Sequence, residues 1–195
     1  MIRTLCLIFG FAYFTAKGAE MGDAVLAANA VLMNFLHFAA YGLDGFAHAA
    51  EALVGGAVGQ RDRSVFRAAV RASMKWAAVI ALAMTAVFWF AGGPIIALLT
   101  SIESVRADAL AYLAWPALMP LVSIWCFTFD GIFLGATRGA DLRNGMVISL
   151  AGYLLAAHFL MPAYGNHGLW AAMTLFMVLR GATLAVRYRR LRDTF

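Results

Sequence analysis

The chain has 195 residues, of which 64% are hydrophobic and 13% are charged. Soluble domains carry roughly half apolar and about a quarter charged residues, and disordered chains are poor in apolar residues, so both classes are excluded. The formal net charge is +5, but the basic residues fall between long apolar runs, so no nucleic-acid partner is predicted. Cys6 and Cys126 both lie inside apolar runs, which predicts neither a disulfide framework nor a cysteine-rich metal site. The composition indicates an integral membrane protein.

Six membrane crossings are predicted in chain order. A helix that crosses the hydrocarbon core needs about 20 mostly apolar residues. The sequence Gly92-Gly93-Pro94 is expected to end the third crossing, and the turn residues from Pro162 to Gly168 divide an uncharged run too long for one crossing. The expected crossings are 1–17, 24–59, 75–91, 109–136, 144–162 and 168–187, with a short interfacial helix at 95–100. They form one all-helical transmembrane lobe, 1–195.

The first crossing has two interpretations. Arg3, an apolar core and the small residues near Ala16 are compatible with a cleaved signal peptide. Five further crossings follow, however, and the apolar core runs as far as Lys17. A retained membrane helix is therefore favoured.

Lysine and arginine in the connecting segments predict the orientation, because they concentrate on the cytoplasmic side. One set of alternate segments contains Arg3, Arg61, Arg63, Arg67, Arg71, Lys75, Arg138, Arg143, Arg187, Arg189, Arg190 and Arg192. The other set contains only Lys17 and Arg106, beside acidic residues. Both termini are therefore expected in the cytoplasm, with the protein in a bacterial inner membrane.

The second crossing is unusually long. Nothing between Ala24 and Gly59 ends a helix, and at 1.5 Å per residue this segment would extend about 54 Å, well beyond the membrane core. Its second half is rich in glycine and alanine, which let helix backbones approach closely in lipid. The second helix is predicted to lie at the centre of the bundle.

Ionisable residues inside the crossings are the candidate functional residues. Such a residue at the centre of a membrane helix costs roughly 2.5–3.5 kcal/mol on insertion scales and should face the bundle interior. The candidates for ion coupling or substrate binding are His37, Asp44, Glu51, Asp130 and Arg180. The first three are spaced by seven residues, which puts them on one helix face. Asp44 and Asp130 should lie at similar depth, each followed by a glycine that admits a neighbouring backbone.

Each candidate also has a structural interpretation. Asp44 and Asp130 could bind a proton, a cation or substrate, or could join helices and pair with Arg180. Glu51 could be a solvated partner of the basic segment that follows it, His37 could serve packing, and Arg180 could reach the interface along its aliphatic stem. The sequence contains no catalytic motif and no metal-ligand spacing, so neither an enzyme, a metal site nor a cofactor is predicted.

The combination of six segments is distinctive: 26–31, 43–55, 59–63, 93–100, 129–138 and 165–170. Together these segments resemble the DinF branch of the multidrug and toxic compound extrusion (MATE) transporters. Family members have twelve helices in two six-helix lobes with the substrate cavity between them, and the resemblance covers the C-terminal lobe, helices seven to twelve. It implies that Asp44 and Glu51 match acidic positions of the eighth helix and that Asp130 matches that of the tenth. The usual coupling aspartate of DinF-type members belongs to the other lobe.

The leading hypothesis is therefore the C-terminal half of a multidrug or metabolite efflux antiporter coupled to H⁺ or Na⁺. It would be inactive without an N-terminal lobe or a second copy, and its partners would be the bilayer and a cationic or amphipathic small molecule. One alternative is a flippase of the same superfamily for lipid-linked substrates, which the scarcity of deep basic residues other than Arg180 disfavours. Another is a membrane subunit or fragment that does not transport.

Overall fold

The computed structural model describes residues 1–193, and these residues form helices joined by short connections. The helices are α1 (Ile2–Glu20), α2 (Asp23–Gln60), α3 (Arg63–Leu99), α4 (Glu103–Tyr112), α5 (Ala114–Gly135) and α6 (Gly139–Asp193). The predicted all-helical fold is confirmed.

The longest helix, α6, is two helices that meet at a sharp reversal. Gly165 has φ 54° and ψ −130°, which is not helical and which side chains strongly disfavour. The first arm of α6 (139–164) packs against the second arm (166–193), and a Cβ at Gly152 would meet the side chain of Leu179. The two arms correspond to the last two expected crossings.

Four helices of the described chain are long and apolar enough to cross a membrane: α2, α3, α5 and α6. Because α6 has two arms, this set includes five of the six expected crossings. The remaining one corresponds to α1, which does not meet the same criterion of length and composition. The count of six crossings stays a prediction.

The expected break at Gly92-Gly93-Pro94 is wrong. Helix α3 continues to Leu99 with Pro94 inside it. Proline removes one N–H donor and disturbs one turn, but ending a helix in an apolar environment would leave several main-chain groups unpaired, so the helix continues. Gly92 has a packing role, since a Cβ there would overlap the side chain of Leu113.

The short helix that follows the third crossing is α4, not the expected segment 95–100. Within the expected crossing 109–136, α4 ends at Tyr112 and α5 begins at Ala114, and Leu113 between them keeps a right-handed helical conformation (φ −55°, ψ −33°). Arg106 on α4 donates from Nε to the carbonyl of Thr100 at 2.7 Å and from Nη2 to the carbonyl of Ala97 at 2.8 Å. The last carbonyls of a helix lack intrahelical donors, so Arg106 caps the end of α3.

Helix α2 is central, as predicted, and contacts α1, α3, α4 and α5. Its closest approach is to α5: a Cβ on Gly131 would overlap the main-chain carbonyl of Ala47, and a Cβ on Gly135 would overlap that of Glu51. Around Gly45, no neighbouring atom of the described residues lies within 4 Å of a Cβ position. The expectation that the glycine after each aspartate admits a backbone is thus correct for Gly131 and wrong for Gly45.

The turn between α2 and α3 is held by a capping side chain. The carboxylate of Asp62 accepts hydrogen bonds from the Ser64 hydroxyl at 2.7 Å and from the N–H groups of Ser64 and Val65 at 2.8 and 3.2 Å. These hydrogen bonds, with that of the Ser64 hydroxyl the largest contribution, hold the pKa of Asp62 below its usual value. Asp62 therefore fixes the start of α3.

A buried amide network joins α2 to the second arm of α6. Asn29, which is 2% exposed, donates from Nδ2 to Oδ1 of Asn166 at 2.8 Å. Its Oδ1 accepts from Nδ2 of Asn166 and from Nε1 of Trp170, both at 2.9 Å. Because buried polar groups need partners, this network fixes how α2 meets the chain just after the reversal at Gly165.

Candidate functional site

One buried carboxylate joins three helices. Asp130 of α5 is 4% exposed, and its Oδ2 accepts a hydrogen bond from Nη2 of Arg3 at 2.7 Å and from Nη2 of Arg180 at 2.8 Å. Arg3 belongs to α1, and Arg180 to the second arm of α6. A buried charge requires a partner of opposite sign, so this Arg3–Asp130–Arg180 cluster holds its three helices together.

Arg180 lies inside the bundle. It is 3% exposed, and its Cζ lies 5.5 Å from the ring centroid of Phe127 and 5.8 Å from that of Phe176. The faces of these aromatic rings attract a cation. The expectation that Arg180 reaches the interface is therefore wrong, because its partners are internal, whereas the alternative that it pairs with an aspartate is correct.

Arg3 is the residue of the cluster that was not predicted as a site residue from the sequence, where it counted only toward the orientation and the signal-peptide alternative. The signal was its isolation: it is the only charged residue in the apolar run from Met1 to Ala16. An isolated charge in such a run needs a buried partner. Nothing in the sequence indicates that this partner lies 127 residues away, in α5.

A cavity of about 350 Å³ lies beside the cluster. Arg3 and Arg180 line it, together with His37 and Asp44 of α2. The rest of the wall is mostly apolar and comprises Thr4, Leu7, Phe11, Leu36, Ala40, Phe127 and Met177. Asp130 is not among the lining residues, so the wall presents the guanidinium groups rather than the carboxylate that they share.

Asp44 differs from Asp130 in its partners. Its side chain is half-buried on the cavity wall, and within residues 1–193 its carboxylate has neither a salt bridge nor a side-chain hydrogen bond. Ala47, one turn along α2, packs against Gly131, so the two aspartates lie at the same level, as expected. Asp44 thus brings a carboxylate without a direct partner to a wall that also carries two guanidinium groups.

Glu51 lies apart from this cavity. Its Oε2 is 3.5 Å from Nδ1 of His48, three residues earlier on the same helix; the His48 side chain is 78% exposed and that of Glu51 is 43% exposed. The alternative that Glu51 is a solvated partner of the basic segment after α2 is therefore wrong. Of the three acidic and histidine residues spaced by seven, His37 and Asp44 share the cavity and Glu51 does not.

A mostly apolar groove between α1 and α2 adjoins the cavity. This groove has a volume of about 510 Å³ and shares Phe11 and His37 with the cavity. Its wall includes Phe14 and Met33 and reaches as far as Asn29. The cavity thus has charged residues on its wall, and the neighbouring groove is mostly apolar.

Comparison with known proteins gives the family. The MatE family model matches residues 1–161 of the chain. The chain belongs to the MatE family. It is 44% identical over 190 residues to DNA damage-inducible protein F of Escherichia coli (strain K12), a match that covers 97% of this chain and 41% of that protein. The resemblance to the DinF branch is confirmed.

Solved structures show the same fold. The chain matches a MOP superfamily transporter from Pyrococcus furiosus Vc1 (DSM3638) with a TM-score of 0.89 and 15% identity, over 99% of this chain and 43% of that one. It matches the Vibrio cholerae MATE transporter VcmN in the bent form with a TM-score of 0.88 and 18% identity, over 100% of this chain and 44% of that one. The chain therefore has the fold of one MATE lobe.

The MatE family chain spans less than half the length of each of these proteins. Its family and its long apolar helices make it a multi-pass membrane protein.

Proposed function

We propose that the chain is the C-terminal lobe of an exporter that moves small molecules across a bacterial inner membrane in exchange for H⁺ or Na⁺. The observation that carries this proposal is the cavity in the helical bundle, with the unpaired carboxylate of Asp44 on its wall. An ionisable side chain inside a membrane bundle is a functional candidate by default. Family membership supplies the context of transport, and the other lobe would complete the cavity.

Asp44 and Asp130 have different roles in this proposal. Asp130 already receives two hydrogen bonds from guanidinium groups, so its charge is committed to holding α1 and α6. Asp44 faces the cavity without such partners and is available to exchange a proton or a sodium ion with it. Asp44 is thus the coupling carboxylate of this lobe, and Asp130 positions the two arginines.

The sequence leads us to expect a cationic or an amphipathic cargo. The shape of the cavity favours the amphipathic one. The charged end near Arg180 suits a polar group, while the groove between α1 and α2 offers an apolar wall for a hydrocarbon part. Ligand sites of this kind combine a mostly apolar wall with a few placed polar groups.

A flippase for lipid-linked substrates is the second candidate. The sequence disfavoured it because Arg180 was the only deep basic residue expected. Arg3 lies beside Arg180 on the same cavity wall, which brings a second basic residue to it. Asp130, which both arginines share, and Asp44 on the same wall balance these two charges, so the cavity lacks the net cationic character that this alternative requires.

The orientation proposed for the lobe has both termini in the cytoplasm. In support, Arg63 donates to the carbonyl of Arg192 at 3.5 Å, so basic segments far apart in the sequence meet at one end of the bundle. A reporter fused after Phe195 should be cytoplasmic and one inserted near Glu103 periplasmic. A reporter at Glu103 that is accessible only from the cytoplasm would contradict this orientation.

The proposed coupling role is tested by Asp44→Asn in the chain co-expressed with a matching N-terminal lobe. This variant should accumulate in the membrane like the wild type but lose most of its drug export. Glu51→Gln is the matched control, because Glu51 lies on the same helix outside the cavity, and it should export normally. Normal export by Asp44→Asn would contradict the coupling role, and robust export by the chain alone as a monomer would contradict the need for a second lobe.

A further inference from the structure

Three basic residues follow one another along the outer face of α3. Arg67, Arg71 and Lys75 are spaced by four residues, which places successive charges about 6 Å apart on one side of the helix. All three residues are exposed. We propose that this basic stripe (Arg67, Arg71 and Lys75) binds the phosphate of an anionic phospholipid, whose acyl chains lie along the apolar face of α3 that continues from it. The site is separate from the cavity and goes beyond the proposed function.

No salt bridge among the described residues neutralises the basic stripe. Helix α3 itself has no aspartate or glutamate. The nearest acidic residue in the sequence is Asp62, which caps the start of α3, and setting its charge against that of its neighbour Arg63 still leaves three positive charges. Arg71 donates from Nε to the carbonyl of Arg67 at 3.3 Å, and its Nη atoms have no partner within residues 1–193. An anion at the stripe would therefore meet charges that the described chain does not satisfy.

Membrane orientation alone does not require this arrangement. The preference of basic residues for the cytoplasmic side depends on how many of them lie near one end of a crossing, not on their sharing a helix face. Like charges four residues apart destabilise a helix, so the stripe lowers the stability of α3 unless an anion lies beside it. The opposite face of the same turns joins α3 to the bundle, because Phe66 and Ala69 are buried there. The stripe is thus available to a ligand.

The stripe ends where the surface of α3 becomes apolar. Trp76 directly follows Lys75 and is 58% exposed, and exposed tryptophan concentrates at the interface between head groups and hydrocarbon. Val79 and Leu82, four and seven residues after Lys75, lie on the same face and are 47% and 62% exposed. One face of α3 therefore offers cations at the level of the head groups and an apolar wall about 10 Å further along the helix.

A phospholipid with a net negative charge matches both parts of this face. A guanidinium or ammonium group binds a phosphate oxygen through a charge-assisted hydrogen bond. A zwitterionic lipid carries the same phosphate but also a cation, which the positive charges of the stripe repel. A soluble phosphate or a nucleic acid would match the charges but would leave the exposed Val79 and Leu82 without a partner. The charges and the apolar continuation together select an anionic lipid, for which phosphatidylglycerol is the probe.

The test measures the quenching of Trp76 fluorescence in the 195-residue chain in phosphatidylcholine nanodiscs. Part of the lipid is replaced by phosphatidylglycerol or phosphatidylcholine that is brominated near the glycerol end of its acyl chains, because bromine quenches an indole that it contacts. The part of the quenching that Trp76→Phe removes belongs to Trp76. Brominated phosphatidylglycerol should quench Trp76 at a several-fold lower mole fraction than brominated phosphatidylcholine does.

Variants of the stripe should remove this preference. Arg71→Gln and Lys75→Gln should each weaken the affinity for phosphatidylglycerol at Trp76 by about fivefold, the scale of one basic residue beside an anionic lipid surface. Quenching by phosphatidylcholine should stay unchanged. Arg71→Lys keeps the charge and should retain most of the preference. If Arg71→Gln does not fold, Lys75→Gln decides the question in its place.

Arg143→Gln is the matched control. It removes the same charge from an exposed residue in the first arm of α6, whose Nε donates to Asn144, and it should leave the quenching of Trp76 unchanged. Equal quenching of Trp76 by the two brominated lipids would overturn the proposal, as would equal effects of Arg71→Gln and Arg143→Gln. Displacement of the brominated phosphatidylglycerol by soluble glycerol phosphate would assign the stripe to a soluble anion and would overturn the lipid site.

Discussion

Gly131→Ala is expected to destabilise the bundle, because the contact between α2 and α5 leaves no room for a methyl group. A Cβ at this position would overlap the carbonyl oxygen of Ala47 and lie 2.8 and 2.9 Å from its carbonyl carbon and Cα. These are main-chain atoms of a helix, so they cannot move aside as the end of a flexible side chain could. The two helices must separate.

The size of this separation sets the magnitude. Carbon atoms in van der Waals contact lie about 3.5–4.0 Å apart, so α2 and α5 must move apart by roughly 1 Å. Overpacking of this kind typically costs about 1–3 kcal/mol. A chain of this length loses roughly 2–4 °C of thermal stability per kcal/mol, which gives an expected drop on the order of 5 °C.

The assay is the melting temperature of the purified chain in detergent, followed by fluorescence-detected size-exclusion chromatography. Gly45→Ala is the matched control, since Gly45 also follows an aspartate but has open space around it. Alanine is favoured over glycine inside a helix by roughly 0.5–1 kcal/mol, so this control should be unchanged or slightly more stable. A Gly131→Ala chain as stable as the wild type, or a Gly45→Ala chain equally destabilised, would refute the packing argument.

Three further changes test other parts of the fold by melting temperature. Asn29→Ala removes the centre of the buried amide network and should lower the free energy of unfolding by about 1–3 kcal/mol for each donor left unpaired. Asn34→Ala is its control and should change the stability little, because the Asn34 amide donates to carbonyl groups of its own helix. Gly165→Ala should lower the free energy of unfolding by about 1–3 kcal/mol, because the positive φ of Gly165 is unfavourable for a residue with a side chain. Gly139→Ala is its control, since a Cβ at Gly139 would lie in open space. The pKa of Asp62 is lowered in the folded state, so its stabilising effect should be complete at neutral pH and lost as pH falls through that lowered value. An Asp62→Asn chain whose stability falls equally with acid would contradict this assignment.

The sequence was sufficient for features that depend on composition along the chain. Long apolar runs predict the membrane helices, and the turn residues around Gly165 predict where the last run reverses. The failure at Pro94 has a physical cause: local propensity favours a break, but an apolar surrounding makes unpaired main-chain groups costlier than one distorted turn. Helix propensities measured in water therefore overstate how strongly proline breaks a helix in an apolar surrounding.

The site was only partly predictable, for a different reason. Asp44, Asp130 and Arg180 stand out as charges inside apolar runs, and two of them do pair. Spacing along one helix placed His37 and Asp44 on one face correctly, but it could not show that Glu51 lies beyond the cavity or that Arg3 enters it. Which helices approach one another depends on tertiary packing, and a one-dimensional pattern contains no measure of the distance between helices.

Helix α5 is where these contacts combine. Asp130 binds Arg3 of α1 and Arg180 of α6, and the next residue, Gly131, admits the backbone of α2. Two consecutive residues therefore position three other helices, and the cavity is the space left between the helices that they hold.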